Sequence, residues 1–479
     1  MLSFLILMPL LGAFCIFFIN NKNINLIRNF SLFWSLLIFN ISVYLVFIFD
    51  TTSSNFQFIE EIHWISITNN NIVLGIDGLG LFMVLLTTFL IPVCLILSFS
   101  LSNLAQIKEY NIAFLVLESI LLGVFSTLDV LLFYLLFEAV LIPMYFIVGV
   151  YGSRGRRVRA SYLLFLYTLV SSLFMLLAIL FLYFKSGTTD FQALQSLNLT
   201  SFSEKLCWIA FFLSFAVKMP LMPFHIWLPE AHAEAPTSGS VILAGILLKL
   251  GGFGFIRYSL CLFPEASSFF SPFIFTICSF GVIYASLTTL QQVDLKKIIA
   301  YSSVGHMGIV TIGIFSGNVQ GIVGSIILMI SHGVVSGALF FCIGVLYERH
   351  HTRIVKYYNG LINTMPIFMV FFIIFTLGNL GLPITSSFIG EFLVLIGCFS
   401  INSSTALLSG TGMVLGAAYS LWLCNRIGFG NIKTYSIFEF YDLNRREFYV
   451  LLPFLFLTFL IGIYPEIIIS YLRASIISF

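Results

Sequence analysis

Long apolar segments separated by short polar ones recur along the whole chain. Most are about 17 to 25 residues long, the length that an α-helix needs to cross the hydrocarbon core of a bilayer. The apolar runs are continuous, whereas the strands of a membrane β-barrel alternate apolar and polar positions. A helix also satisfies its own backbone hydrogen bonds in lipid. The pattern therefore predicts an all-α polytopic membrane protein with about 14 transmembrane helices. The predicted spans are 2–19, 30–49, 79–102, 112–127, 129–149, 160–184, 206–228, 236–258, 270–290, 295–316, 321–346, 366–398, 405–425 and 448–470.

Two of the predicted spans contain helix-breaking residues near their middle. Pro220 and Pro223 interrupt the span at 206–228, and Pro383 interrupts the one at 366–398, which is also too long for one straight helix. Proline removes a backbone donor and clashes with the preceding turn, so both spans are expected to be broken helices. The polar, amphipathic stretch from 50 to 76 is expected to be a surface loop.

The two breaks define an internal repeat. They lie roughly 160 residues apart, and the spans that begin near 112 and 270 share this offset. The span that begins near 270 is the fifth after the one that begins near 112. Because five is an odd number, the two units cross the membrane in opposite directions. The sequence thus predicts a single transmembrane domain over 1–479 that contains two inverted five-helix repeats, 112–258 and 270–425, each with a broken helix. Such paired broken helices are typical of transporters with a site at mid-membrane.

The composition agrees with a membrane protein and argues against bound cofactors. Hydrophobic residues make up 59% of the chain and charged residues 9%, whereas about 25% of residues are charged in soluble domains. The 8 cysteines are scattered through apolar segments without a C-x-x-C motif, which indicates small buried side chains rather than metal ligands or disulfides. No glycine-rich phosphate loop or dinucleotide motif is present, so we expect no nucleotide, nucleic acid, metal or redox cofactor in this chain.

Basic residues are distributed unequally between the two sides of the predicted topology. Of the 22 lysines and arginines, 16 lie on one side and 4 on the other, with two inside the membrane. By the positive-inside rule, the basic loops face the cytoplasm or matrix and both ends of the chain face outward. The four exceptions are Lys185, Lys205, Arg257 and Arg473.

Three ionisable residues lie at mid-depth in the first predicted repeat. A lysine there costs about 3 kcal/mol, so it is retained only where it is paired, hydrated or used. Glu138 has apolar neighbours on both sides, and Lys218, beside the first break, is its natural partner; a purely structural ion pair is the alternative. Lys249 has no acid within a helical turn, which makes it a candidate proton carrier, or else a lysine that snorkels from a helix end.

Three further candidates lie in the second predicted repeat. His306 and His332 are mid-span and flanked by small or hydroxyl residues that admit water, and histidine titrates near neutrality. The alternative for each is an interhelical hydrogen bond. Glu391 follows the second break, where it is a candidate terminal proton donor or acceptor, or a cap of the broken helix. Together with the lysines, these residues predict a proton path through the membrane.

Other charged residues indicate mainly structural roles. Glu118 and Asp129 lie close to the ends of predicted spans. A further group follows the first break and is expected to line an aqueous entry or to hold the loop, because its spacing does not match a zinc motif such as H-E-x-x-H. That group consists of His225, Glu230, His232 and Glu234.

Three passages of the chain resemble one family closely. They are Phe215–Ser240, Leu243–Gly251 and Leu295–Gly308, and they are similar to the antiporter-like subunits of proton-pumping NADH:quinone oxidoreductase, respiratory complex I. The resemblance extends over nearly the whole chain. It implies that Glu138 and Lys218 form the family's glutamate–lysine pair and that Lys249 is its central lysine. It likewise implies that His306 and His332 lie along the central axis and that Glu391 is the glutamate on the exit side.

The resemblance also implies a function and partners. The chain would be a proton-translocating subunit of a NADH:ubiquinone reductase, with flavin, iron–sulfur clusters and quinone held by partner subunits. Those partners would include the paralogous subunits 2 and 5, which tend to carry lysine where this chain has Glu391. The implied location is the mitochondrial inner membrane with the basic loops facing the matrix, or alternatively a bacterial plasma membrane. Subunits of multi-subunit cation/proton antiporters and membrane-bound hydrogenases share the motifs and remain the alternative, as does a structural anchor without a proton path.

Overall fold

The apolar segments form helices in the computed structural model, which describes residues 1–65, 70–97, 99, 106–431 and 441–477. The helices of the first half are α1 (Leu2–Phe18), α2 (Ile24–Ile48), α3 (Gly78–Leu97), α4 (Ile107–Ser126), α5 (Val130–Ala139), α6 (Leu141–Tyr151), α7 (Arg157–Ser186), α8 (Phe191–Gln195), α9 (Ser201–Lys218), α10 (Trp227–Glu234), α11 (Thr237–Ile242) and α12 (Leu248–Gly254). Two π-helical segments, Leu243–Leu247 and Phe255–Leu260, flank α12 and make 237–260 one continuous helix.

The second half continues in the same way. Its helices are α13 (Pro264–Gln291), α14 (Leu295–Phe315), α15 (Val319–His350), α16 (Leu361–Thr364), α17 (Pro366–Leu380), α18 (Ser386–Phe399), α19 (Ser403–Gly428), α20 (Arg445–Ile463) and α21 (Glu466–Ile477), with a 3₁₀ turn at Val355–Tyr357. The all-α polytopic class predicted from the sequence is confirmed.

Helical segments coincide with all the predicted spans. Within the described residues, 11 helices are long and apolar enough to cross a membrane, and three shorter apolar helices, α1, α17 and α18, accompany them. The last predicted span, 448–470, is divided, because α20 ends at Ile463 and α21 begins at Glu466. The end of the predicted span 79–102 lies partly outside the described residues, at 98 and 100–102. The number of membrane crossings stays a prediction.

The expected surface loop at 50–76 contains a β-hairpin that the sequence analysis missed. Strands β1 (Gln57–Ile65) and β2 (Asn70–Ile76) pair in antiparallel register, with His63 opposite Asn71. The backbone N–H of Leu128 donates to the carbonyl of Val73 at 2.8 Å and so ties the hairpin to the start of α5. The short strands were obscured because polar residues interrupt the period-two alternation that indicates a strand.

All the predicted breaks interrupt their helices. The chain is irregular between Lys218 and Trp227, around the two prolines of the first break, and again between Leu380 and Ser386. At the second break Gly381 adopts a left-handed conformation with φ of 78° and ends α17. A further interruption at Val140 separates α5 from α6, three residues before Pro143, where a proline ring leaves a preceding carbonyl without its helical donor.

Two helices form the centre of the bundle. The most apolar stretches of α15 and of the helix over 237–260 are entirely buried. In the corresponding stretches of α2 and α20, only 28% and 33% of the residues are buried. The outer helices expose large apolar side chains such as Phe33, Phe47 and Phe456, as expected for surfaces that face lipid. A lysine or histidine on a central helix is therefore enclosed by protein.

Arg257, which was counted on the outer side at the end of the predicted span 236–258, lies inside a helix. It belongs to the π-helical segment Phe255–Leu260, is fully buried, and forms an ion pair with Asp77 at the start of α3. Its guanidinium also lies 4.6 Å from the centre of the Phe253 ring. The carboxylate of Asp77 compensates the buried charge of Arg257, and the helix continues to Leu260, past the predicted end at 258.

Candidate functional site

Lys249 and His332 meet between the two central helices. The π-helical segment before α12 leaves the carbonyl of Ala244 free to accept a hydrogen bond from Nζ of Lys249. The same Nζ lies 2.8 Å from Nδ1 of His332. Both side chains are buried. π-Segments inside α-helices are frequent at functional sites, because they re-aim side chains and release a carbonyl.

A glycine pair allows this contact. A Cβ added to Gly333 would lie 3.0 Å from the carbonyl oxygen of Gly245, and one added to Gly245 would lie 2.4 Å from Leu90. Only residues without a side chain permit so close an approach of two helices. The close approach brings α15 near enough to the helix over 237–260 for Lys249 to reach His332.

The line of ionisable side chains continues from His332 to Glu391. The imidazole rings of His332 and His306 have their centres 5.6 Å apart. Nδ1 of His306 lies 3.2 Å from Oε1 of Glu391, without the alignment of a hydrogen bond. These side chains come from α15, α14 and α18, so three helices contribute to the line in addition to α12.

A small polar cavity adjoins His306 and Glu391. Its volume is about 20 Å³, enough for about one water molecule. Asn379, Ser302 and Tyr419 contribute polar groups to its wall, and the Tyr419 hydroxyl hydrogen-bonds with the first two. A site with several polar partners is one that a water molecule can occupy.

Glu138 and Lys218 form a second cluster. Nζ of Lys218 donates to the carbonyl of Phe137 at 3.3 Å and lies 4.3 Å from the centre of that ring. The Glu138 carboxylate accepts a hydrogen bond from Ser172 and interacts electrostatically with Lys218. Within the described residues the two charges are not within the 4.0 Å of a direct ion pair. The expected glutamate–lysine pair is thus a pair of neighbours, and its role stays a prediction.

The structure brings four of the six predicted site residues into one line and the other two into the second cluster. The helix that carries Lys249 packs on the end of α9 through Gly251, where an added Cβ would lie 2.8 Å from the carbonyl oxygen of Phe215. In the described part of the chain, no hydrogen bond or ion pair joins Lys218 to Lys249. Packing therefore connects the two clusters.

Sequence reasoning underestimated a cluster at the end of the bundle that carries the basic loops. Nζ of buried Lys296 donates to the carbonyl of Ala235 at 2.7 Å and to Oγ of Ser240 at 3.2 Å. The buried guanidinium of Arg353 donates to the carbonyl of Ala233. Both cations thus hold the carbonyl end of α10, where a helix dipole favours positive charge. Lys296 was grouped with the loop residues because it is adjacent to Lys297, and no local signal distinguishes the two.

His232 lies on α10 beside this cluster. Its ring stacks on that of Phe340, with centres 4.6 Å apart and planes 4° from parallel. It is fully buried, and neither ring nitrogen has a hydrogen-bond partner within the described structure. Both Lys296 and Lys249 act on it electrostatically, so it is near both lysines.

Glu118 and Asp129 differ from each other in their surroundings. Asp129 caps α5, accepting hydrogen bonds from the backbone N–H of Leu132 at 2.7 Å and from the Thr189 hydroxyl. Glu118 is fully buried, and its carboxylate has no hydrogen-bond partner among the described residues. A capping role for Asp129 agrees with the structural interpretation, whereas nothing in the structure explains Glu118.

The described residues contain no cluster of three or more histidine, cysteine or acidic side chains arranged to hold a metal ion. All eight cysteines are free thiols, and most are buried.

A bundle of apolar helices with broken helices and a line of buried ionisable side chains defines an antiporter-like membrane protein. The chain belongs to the NADH:quinone oxidoreductase/Mrp antiporter transmembrane family, whose model matches residues 127–416. The resemblance found in the sequence is thereby confirmed.

Relatives narrow the assignment within this family. The chain is 57% identical to "NADH-ubiquinone oxidoreductase chain 4" of Marchantia polymorpha and 56% identical to the protein of the same name of Arabidopsis thaliana. Each comparison covers 99% of this chain and 96% of the relative. A chain in the structure of respiratory complex I from Thermus thermophilus with bound NADH superposes with a TM-score of 0.88 at 27% identity, covering 99% of this chain and 100% of that one.

The relatives also confirm which subunit of the family this chain resembles. Glu391, the passage from Gly75 to Thr88 and the residues at 350–353 resemble subunit 4 rather than its paralogues, and the curated relatives named here are chain 4 proteins.

Proposed function

We propose that this chain translocates protons across a membrane as a membrane-arm subunit of NADH:ubiquinone oxidoreductase, driven by quinone reduction elsewhere in the complex. One observation carries the proposal: Lys249, His332, His306 and Glu391 form a continuous line through the buried centre of the bundle. The identity to chain 4 relatives over nearly the whole chain supports it. Side chains that can titrate are costly in a membrane interior and are functional there as a rule.

The line of side chains suggests the order of proton transfer. Lys249 in its charged form donates a proton to Nδ1 of His332. The proton passes from His332 to His306 through one bridging water or a rotation of the ring, because the ring centres are too far apart for direct transfer. His306 then donates to Oε1 of Glu391, from which the proton leaves. Each step returns its donor to the form that accepts the next proton.

We assign the two ends of the path to the two broken helices. On the side of the basic loops, His232 is near both Lys296 and Lys249 and is the natural link to the central lysine. On the other side, Glu391 follows the break between α17 and α18. We place a water-filled half-channel at each break, and we retain the two inverted repeats 112–258 and 270–425 as the units that contain them.

Glu138 and Lys218 supply the coupling step. A change in their separation alters the field that Lys249 experiences, because Lys218 ends the helix on which the Lys249 helix packs. In a protein interior such fields are weakly screened. A conformational change that reaches α5 or α9 from a neighbouring subunit would thus change the protonation of Lys249.

The same proposal includes the partners of the chain and the membrane in which it lies. Its partners are other subunits of the complex, the paralogous subunits 2 and 5 among them, and flavin, iron–sulfur clusters and quinone belong to partner subunits. The membrane is the mitochondrial inner membrane with the basic loops in the matrix, which the unequal distribution of 22 basic residues supports. The family model also describes Mrp antiporters, so co-purification with a cation-exchanging rather than a quinone-reducing complex would favour that second function.

The decisive experiment measures protons pumped per electron in the purified complex reconstituted into vesicles. Lys249→Ala removes the central donor and is expected to lower this ratio, whereas Lys185→Ala removes an exposed lysine and leaves it unchanged. An unchanged ratio in assembled Lys249→Ala complex would refute proton transfer through this chain.

A further inference from the structure

The outer faces of α2, α3 and α20 enclose a groove on the lipid-facing side of the bundle. Its volume is about 610 Å³, within the range of sites that hold small molecules. Leu36, Phe39, Phe89 and other apolar side chains line it. Pro92 lies inside α3 and Pro453 inside α20, and both line the groove. Proline bends a helix and removes a backbone donor, which is why these helices do not close on one another here.

One end of the groove is strongly basic. Arg446, in the first turn of α20, lines that end. Arg28, near the start of α2, lies 5.3 Å from the ring centre of Phe99, which also lines the groove. The two guanidinium groups are close enough to repel one another. An anion between them would relieve this repulsion, and arginine binds phosphate oxygens with two parallel hydrogen bonds.

We propose that the α2–α3–α20 groove binds a phospholipid with an anionic headgroup, its phosphate at Arg446 and Arg28 and an acyl chain along the apolar wall. Both arginines belong to the basic side of the predicted topology, where the membrane surface holds lipid phosphates. Basic pockets between membrane helices on that side are a recurrent form of anionic lipid site.

The charge at one end of the groove favours a lipid over an apolar helix of a neighbouring subunit, because a headgroup phosphate would match Arg446. An acyl chain is thinner and bends to follow the wall.

Lipid retention by the purified complex tests the proposal. The complex is washed in detergent, incubated with phosphatidylglycerol or phosphatidylcholine, and analysed by native mass spectrometry. Wild type is expected to retain phosphatidylglycerol in preference to phosphatidylcholine. Arg446→Gln should weaken that retention about five-fold, the effect of one basic residue at a membrane surface. Arg445→Gln removes the neighbouring charge, which does not line the groove, and should behave as wild type.

A second pair of variants tests the apolar wall. Leu36→Trp fills the groove and should lower the retention of phosphatidylglycerol, whereas Phe33→Trp, on an adjacent exposed surface, should not. Equal retention by Arg446→Gln and Arg445→Gln would overturn the proposal. So would a photo-crosslinker at position 36 that links to a protein subunit instead of a lipid. These measurements need no turnover, so their outcome is independent of the proton path.

Discussion

Nζ of Lys249 lies 2.8 Å from Nδ1 of His332, and both side chains are enclosed by the two central helices. Two unit positive charges at that separation repel one another by about 6 kcal/mol at an effective dielectric constant of 20. The pair is therefore built to hold one proton rather than two. A proton that arrives at Lys249 has an acceptor in contact with its donor, which is the geometry that transfer requires.

Replacing His332 should interrupt the path at this contact. His332→Gln keeps a polar side chain that can hydrogen-bond with Lys249 but cannot be protonated near neutral pH. We expect the assembled complex to oxidise NADH while pumping fewer protons per electron. His63→Gln changes an exposed histidine of the hairpin and is the matched control. Equal pumping by both variants would remove His332 from the path.

Neutralising Glu391 distinguishes transport from a structural role. Glu391→Gln preserves the shape of the side chain but removes the proton acceptor 3.2 Å from His306. We expect assembly to be normal and pumping to fall by an order of magnitude or more, because a positioned proton acceptor contributes about 10²-fold or more to transfer. If the chain were only an anchor, assembly would suffer and pumping per assembled complex would stay intact.

A backbone change at the second break should act on the same carboxylate. A Cβ at Gly381 would lie 2.6 Å from Oε2 of Glu391, and the φ of 78° is unfavourable for any residue with a side chain. Gly381→Ala should destabilise the chain by about 1–2 kcal/mol and displace Glu391 from His306. Thermal unfolding and pumping of the complex measure the two effects. Gly410→Ala, where nothing lies within 4 Å of the added atom, should change neither.

The sequence predicts which residues are unusual far better than it predicts which of them touch. Lysines and histidines in apolar segments are visible because charge at mid-depth is costly, and prolines mark the first break. The contact of Lys249 with His332 joins residues 83 positions apart and depends on the close approach of Gly245 and Gly333. No local pattern encodes such a packing distance.

Arg257 illustrates the same limit. The predicted span ended at 258, one residue past the arginine, and Arg257 was therefore counted on the outer side of the membrane. Its partner Asp77 is 180 positions away, so the compensation for its burial cannot be found in its own segment. The sequence also could not predict the distance between Glu138 and Lys218. It indicates opposite charges in neighbouring helices but not how far apart they lie.

Adjacent lysines at the start of α14 should differ sharply in their contribution to stability. Lys296 is buried and donates to the carbonyl of Ala235, whereas Lys297 forms a partly exposed ion pair with Glu230 at 2.6 Å. Lys296→Met leaves a buried acceptor without its donor and should cost about 1–3 kcal/mol. Lys297→Met should cost less than about 1 kcal/mol, as exposed pairs do. Chemical denaturation of the purified complex measures both, and equal losses would show that burial does not distinguish them.

The buried pair of Asp77 and Arg257 should show strong coupling in a double-mutant cycle. Asp77→Asn removes the charge that compensates the guanidinium of Arg257, which is fully buried between Phe253 and Phe56. Leaving one buried charge without its partner typically costs about 3–5 kcal/mol, whereas replacing both by apolar residues is often close to neutral. We therefore expect Asp77→Asn and Arg257→Met each to lower the thermal stability of the assembled complex, and Asp77→Leu combined with Arg257→Met to restore most of it. If the single losses simply added in the double variant, the pair would contribute no interaction of its own. In that case the register of the Lys249 helix would be set by the packing of its glycines and not by this ion pair.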